Sequence, residues 1–173
     1  MDMNLIVCVN NKGVIGRNND LIYHIKNDMQ NFRRITIGKT VIMGSKTFDS
    51  LPNKPLKDRL NIVITRNVDK YGGIPNVIAV ESIENAIKAV PDNITTFIIG
   101  GASIYNQFLD KGNVNRIILT EVDDDSEEKN DAKILMPWRN KKDDWMIRFQ
   151  TDYITDSNNI RYRYTIYDKK QLK

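Results

Sequence analysis

One aspartate, in the stretch YHIKNDMQNF from Tyr23 to Phe32, is the first residue placed to do chemistry. Ile25, Met29 and Phe32 recur at helical spacing, and Asp28 shares their face, three residues after Ile25 and four before Phe32. A carboxylate on an apolar face costs several kcal/mol unless it is paired, hydrogen-bonded or protonated, so it needs a reason to be there. A ligand is one reason. Capping is another: with Asn27 as N-cap and Gln30 completing a capping box, Asp28 would lie in the first turn, where the helix dipole favours a negative charge. This stretch alone leaves both open.

A second set of residues could hold phosphate. TVIMGSKTF puts Gly44, and TTFIIGGASIY puts Gly100 and Gly101, between a β-branched run and a helix start. Backbone N–H groups at such a junction sit at a positive dipole end, and glycine lets a ligand approach. The edge IVITRN adds Thr65, Arg66 and Asn67. Three polar strand ends make a groove long enough for a dinucleotide, although glycine serves a plain strand-to-helix turn equally well. There is no G-x-G-x-x-G and no Walker A sequence. The long segment NNKGVIGRNNDLIYH, punctuated by Gly13 and Gly16, reads as a loop and a candidate lid. His24 within it reads as a solvated side chain rather than a general acid.

The elements that must position these groups follow from periodicity. Strands are expected at Leu5–Val9, Thr40–Met43, Asn61–Thr65, Val77–Val80, Thr96–Ile99 and Arg116–Val122, each a continuous apolar run buried on both faces. Helices are expected at about 27–37, just after Gly44, after Ser82 as a cap, and at about 102–109 before Lys111 and Gly112. Alternating strands and helices imply a mainly parallel sheet. Trp145, Ile147, Phe149, Thr151 and Tyr153, then Ile160, Tyr162, Tyr164 and Ile166, alternate with polar residues and read as an antiparallel hairpin joined to it. The expectation is one α/β domain over 1–173, with about eight strands and four helices.

Composition narrows the class. The 173 residues are 40% hydrophobic and 28% charged, as in a globular domain. No apolar run nears the ~18 residues that span a bilayer, and MDMNLIVCV lacks the basic start of a signal peptide. A cytoplasmic protein free of membrane is expected. Cys8 is the only cysteine and His24 the only histidine, so no disulfide and no thiolate or histidine metal site is expected. Cys8 lies in an apolar run and reads as a buried structural thiol. Residues 1–66 carry net charge +6 and the remainder −2. The basic half suits an anionic ligand or nucleic acid, but IRYRYTIY reads more simply as a sheet strand. The acidic run EVDDDSEEKND, Glu121 to Asp131, lacks EF-hand spacing and reads as a solvated loop.

Taken together, GVIGRNNDLIYHIKNDMQNFRRIT, KTVIMGSKTFDSLP, LNIVITR, FIIGGASIYNQFL and RIILTEVD, with Asp131 and Pro137 after them, resemble the dihydrofolate reductase family, in the family's order. The resemblance implies hydride transfer from NADPH to C6 of 7,8-dihydrofolate, with protonation at N5, to give tetrahydrofolate for one-carbon metabolism. It implies that Asp28 binds the pterin 2-amino group and N3, with Thr120 supporting the carboxylate and Leu21 and Tyr23 acting from the lid. Ile6, Val7, Phe32, Leu51 and Ile99 would line the folate site, and Arg59 would pair with the glutamate α-carboxylate. Cofactor positions are Val7, Ile15, Gly16, Gly44, Ser45, Lys46, Thr47, Thr65, Arg66, Ile99, Gly100, Gly101, Ala102, Ser103, Ile104 and Tyr105. Antifolates such as methotrexate and trimethoprim would bind, and the protein would be a monomer with no nucleic-acid partner. The sequence departs from the family at the lid, where Leu21-Ile22-Tyr23 replaces the usual Leu-Pro-Trp and Lys26 a second proline. Ser45 and Ser103 replace common basic residues, leaving Lys46 and Arg66, and Asp58 replaces a glycine beside Arg59. Same-fold alternatives are the pyrimidine reductase of riboflavin synthesis and a catalytically impaired folate-binding relative.

Overall fold

The β-branched runs form the buried strands of the computed structural model, which describes residues 2–140 and 144–170. Met1, 141–143 and 171–173, parts of the expected 1–173 domain, lie outside the described residues. In chain order the elements are β1 (Met3–Asn10), β2 (Val14–Arg17), β3 (Asp20–Leu21), α1 (Lys26–Thr36), β4 (Thr40–Gly44), α2 (Ser45–Ser50) and β5 (Leu60–Ile64). Then come a 3-10 turn (Val68–Tyr71), β6 (Val77–Val80), α3 (Ile83–Lys88), β7 (Thr96–Gly100), α4 (Ala102–Asp110) and β8 (Arg116–Val122). The chain continues through β9 (Ala132–Lys133), α5 (Pro137–Asn140), β10 (Trp145–Gln150), β11 (Ile154–Thr155) and β12 (Arg161–Lys169).

One sheet runs β10-β12-β8-β1-β7-β4-β5-β6, with β11 beside β12. The pairs from β8 to β6 are parallel, and β12 joins β8 and β10 antiparallel. The α/β class, the mainly parallel sheet and the C-terminal hairpin are therefore as the periodicity implies. Both faces are covered, as continuous apolar strands require. Leu5, Ile42, Ile62 and Ile98 pack under Ile83, Ala86, Ile104 and Phe108 of α3 and α4. Val41, Met43, Val63 and Phe97 pack on the other face with Phe48 and Tyr71, whose rings meet edge-on at 5.4 Å. Ser82 caps α3 through Asn85 N–H, and α4 ends at Lys111 before Gly112.

Four expectations are corrected. The capping box does not form: α1 begins at Lys26, its N-cap is Ile25 with no side-chain bond, and Asn27 is an exposed residue of the first turn. The segment expected as a bare loop is largely strand. β2, β3 and β9 form a small sheet in the order β3-β2-β9. Asn18 and Asn19, at φ 53° and 62°, turn between β2 and β3, a conformation asparagine tolerates better than most residues. The hairpin's inner face breaks. Trp145 is buried, but a bulge between Ile147 and Phe149 interrupts the register on this edge strand, leaving both 52% exposed.

The acidic run is not simply solvated. Glu121 is buried and accepts from Arg163 Nε at 2.8 Å and Thr165 Oγ1 at 2.7 Å, with Arg139 at 3.6 Å. Asp131 takes both prongs of the Arg17 guanidinium, at 2.7 and 3.0 Å, and Arg161 pairs with Asp123. Taking these carboxylates out of water is costly, and the arginine and hydroxyl donors around them offset that cost.

Candidate active site

The cleft opens where the sheet parts. β1 pairs with β7 only from Met3–Thr96 to Leu5–Ile98, yet stays on β8 from Asn4–Arg116 to Asn10–Val122. Beyond Leu5 the strands diverge, and the Tyr105 hydroxyl donates to the Ile6 carbonyl at 2.7 Å, satisfying a group the parting would otherwise strand. The cavity, of about 1530 Å³, runs past the carboxyl ends of β1, β4, β5 and β7 and the flanks of α1, α2 and α4. This is where open α/β sheets bind ligands.

One half of the cleft is apolar with a single acid. Ile6, Val7, Phe32, Leu51 and Ile99 line it, together with Asp28 and Thr120. The face of α1 that carries Asp28 is a cleft wall rather than a core face: Ile25 is buried, but Met29 is 46% exposed. The Thr120 hydroxyl donates to Asp28 Oδ1. Burial pushes the Asp28 carboxyl above its ordinary range, and the Thr120 hydrogen bond opposes this. Cys8 lies opposite Thr120 across the β1–β8 ladder and also lines the cleft. Burial, then the neighbouring Asp28 charge, hold its thiol well above its usual value, so it is a poor nucleophile.

The other half is polar and glycine-rich. Gly44, Ser45, Lys46 and Thr47, then Thr65 and Arg66, then Gly100, Gly101, Ala102, Ser103, Ile104 and Tyr105 line it. α2 and α4 start from Gly44 and Gly101 without side-chain caps, and both starts line the cleft, an arrangement suited to an anion. Lys46 and Arg66 are exposed at the rim. A Cβ on Gly101 would come 3.3 Å from Thr47 Oγ1. Gly100 sits at φ +124°, and a Cβ there would also press on the Tyr105 ring at 3.4 Å. Gly100→Ala is therefore expected to cost roughly 1–3 kcal/mol, read as a lowered urea midpoint, while Gly38→Ala, in open space at φ +71°, pays backbone strain alone. Burial drives the Tyr105 phenol far up, so it stays protonated and acts through shape.

The β2–β3 hairpin, the segment expected as a lid, presents Ile15, Gly16 and Leu21 to the cleft. Its tip is tied down by Arg17, which bonds Asp131 as above and reaches Glu128 at 2.7 Å. That hydrogen bond holds the Asp131 carboxyl at about 2. A folded value below the ordinary ~3.9 means the tether's stabilisation is complete above that pH and is lost as pH falls toward 2. NMR should show protection of Arg17 Nε–H constant down to about pH 4 and lost progressively as pH falls to about 2, and Asp131→Asn should remove the transition.

Two expected site residues stand apart from the cleft lining. Tyr23 turns its hydroxyl to Asp124, and its ring packs with Ile25, Val122 and Tyr162. Arg59 donates to Thr36 Oγ1 at 2.9 Å and to the Lys57 carbonyl at 3.0 Å. Desolvation, then Arg33, lower its value. The other expected residues all line the cavity. Cys8, Met29 and the tip residues Arg17 to Asp20 line it unexpectedly. Strand alternation from Ile6 was the available signal for Cys8. The described residues hold no group of three or more His, Cys, Asp or Glu able to take a metal, and none of their helices is long and apolar enough to cross a membrane.

Comparison with known proteins gives one family. A family model described as dihydrofolate reductase matches residues 2–169. The chain is 34% identical over 172 residues to a dihydrofolate reductase of Haemophilus influenzae, covering 98% of this chain and 100% of the relative. It is 35% identical to one from Mycobacterium tuberculosis, covering 91% of each. It is 30% identical to one from Candida albicans, covering 90% of this chain and 91% of the relative.

Proposed function

From the premise that this chain belongs to the dihydrofolate reductase family, we propose that NADPH is its hydride donor and that the cleft described above is where dihydrofolate is reduced. As a member of that family the protein is an oxidoreductase that reduces dihydrofolate with a nicotinamide cofactor. The hydride that reduces C6 comes from C4 of NADPH. The observation that carries the assignment is Asp28, a carboxylate held by Thr120 in an otherwise apolar half-cleft facing two uncapped helix ends.

Asp28 takes the pterin 2-amino group and N3 through two charge-assisted hydrogen bonds, which offset its burial. Ile6, Val7, Phe32, Leu51 and Ile99 hold the ring and exclude water, so that alignment of the two rings supplies most of the rate. While Asp28 grips that edge it cannot reach N5, so the N5 proton arrives through water. The carboxylate favours the protonated pterin electrostatically. Gly44, Gly101 and their helix starts fit a pyrophosphate, because both helices begin at the cleft without side-chain caps. Lys46 and Arg66 fit the 2′-phosphate that separates NADPH from NADH. Arg59 reaches the substrate's carboxylate by exchanging its bond to Thr36. A single 1–173 domain, a monomeric state, cytoplasmic location and antifolate binding belong to the same proposal.

The deciding experiment follows absorbance at the NADPH band with dihydrofolate and purified protein. Loss of absorbance that methotrexate stops is the expected result. A flat trace from folded protein overturns the reading in favour of a catalytically impaired relative.

A further inference from the structure

We infer that Asn10 and Tyr23 are positioning residues that bind the two ends of the lid to the loop after β8, and that Tyr23 takes no part in handling the proton. The inference rests on the reading of the cleft as a reductase site. Its evidence is the hydrogen-bond network itself. Asn10, at the end of β1, is fully buried. Its Oδ1 accepts from Lys12 N at 2.9 Å and Val14 N at 3.0 Å, the first residues of the lid. Its Nδ2 donates to the Ser126 carbonyl at 2.7 Å and to the Tyr23 hydroxyl at 3.2 Å. Those four bonds use the whole capacity of the amide. The Tyr23 hydroxyl in turn donates to Asp124 Oδ2, which also accepts from Ser126 Oγ.

One connected network therefore closes the lid's start, its end and residues 124–126 on one another. Its centre, Asn10, is buried while Tyr23 and Asp124 are half-buried, so the loss of a partner is felt most at the Asn10 amide. Between the two anchored ends the lid holds Ile15, Gly16 and Leu21 against the cleft. Their orientation toward the reacting rings depends on those ends. Tyr23 does not line the cleft, so its oxygen is turned from the place a proton must reach. The charged groups facing it are Asp124 and Arg17. Burial and the bond to Asp124 push the phenol up to about 12, and it remains a donor across the neutral range.

The test compares the parent with Tyr23→Phe, Asp124→Asn and the double variant. Tyr23→Phe keeps the ring packing and so should keep the fold, checked by an unchanged far-ultraviolet spectrum. Single-turnover reduction with saturating NADPH and dihydrofolate is followed from about pH 5 to about pH 9. The expected result is a plateau lowered about tenfold, with the apparent pKa of the profile unmoved. The double variant should be no slower than the slower single one, since both break one network. A displaced apparent pKa in Tyr23→Phe, or an unchanged plateau, overturns the inference. Limited trypsin cleavage at Lys12 and Arg17 gives a reading independent of activity. Faster cleavage in Tyr23→Phe supports the tether, and equal cleavage overturns it. A parent that reduces no dihydrofolate removes the reading of the cleft, whereas the trypsin result still decides the tether.

Discussion

Asp28→Asn is expected to fold as the parent does and to lose about a hundredfold to a thousandfold of its turnover at neutral pH, within the roughly hundredfold to ten-thousandfold range of effects on a catalysed proton transfer. Steady-state oxidation of NADPH across pH measures it. The amide keeps the shape and loses the charge, so the protonated pterin is no longer favoured in a half-cleft otherwise lined by Ile6, Val7, Phe32, Leu51 and Ile99. Part of the rate should return in acid, where the substrate protonates itself. Equal rates for parent and variant at every pH would remove Asp28 from the mechanism.

The same substitution carries a stability signature. Burial raises the folded-state value of Asp28. The folded chain therefore keeps a proton that the unfolded chain releases, and holding the charge in the cleft weakens the fold as pH rises. No such cost exists below the ordinary ~3.9. It grows as pH climbs through the raised value and is constant beyond. Unliganded Asp28→Asn should thus be more stable than the parent at neutral pH, by on the order of 0.5–2 kcal/mol, as is common when a functional group is removed. Urea midpoints should converge near pH 4.

Arg66→Ala is the second large effect. Arg66 stands at the rim of the glycine-rich half-cleft with Lys46, and of the cavity's further charged lining residues Lys111 is paired with Glu84. Removing a charge-assisted hydrogen bond worth about 1.5–3 kcal/mol should raise KM for NADPH roughly tenfold to a hundredfold. KM for NADH should scarcely change. Because Arg66 is exposed, the preference of the parent for NADPH should also shrink as salt is added. A preference untouched by the substitution would leave the phosphate contact without an owner.

Much of this was legible in the residues, and what was not has physical causes. Arg116–Val122 and Val77–Val80 were bounded to the residue, the first because most of it is buried, the second because its β-branched run stands out even though, as edge strand β6, it has no fully buried residue. β2, β3 and β9 have four, two and two residues, too few to show a period. The Asn18-Asn19 pair was the one local cue to their hairpin. The N-cap of α1 was misplaced by two residues, since Asn27 is a good cap wherever a cap is needed and the helix began after Ile25 without a side-chain cap. The acidic run misled for a different reason. Its partners Arg17 and Arg163 lie far along the chain from Asp131 and Glu121, and no window of sequence brings them together.

The site divides in the same way. Residues fixed by strand ends, such as Gly44, Thr65 and Gly100, could be placed from pattern. Asp28 could be flagged but not explained, since capping and ligand binding share a spacing. Tyr23 and Arg59 were placed by family position alone, and their side chains follow local partners, Asp124 and Thr36, that the family position does not specify.

The short run of pairing from Met3–Thr96 to Leu5–Ile98 has a mechanical consequence. It is a spine three residue pairs long, joining two leaves that separate above it. β1, β8, β12 and β10 make one leaf, and β7, β4, β5 and β6 the other. A ligand lodged between them is a second binding of the same book. It stitches the leaves together above the spine, so occupancy should strengthen the whole molecule against unfolding, and the gain should climb with the logarithm of ligand concentration.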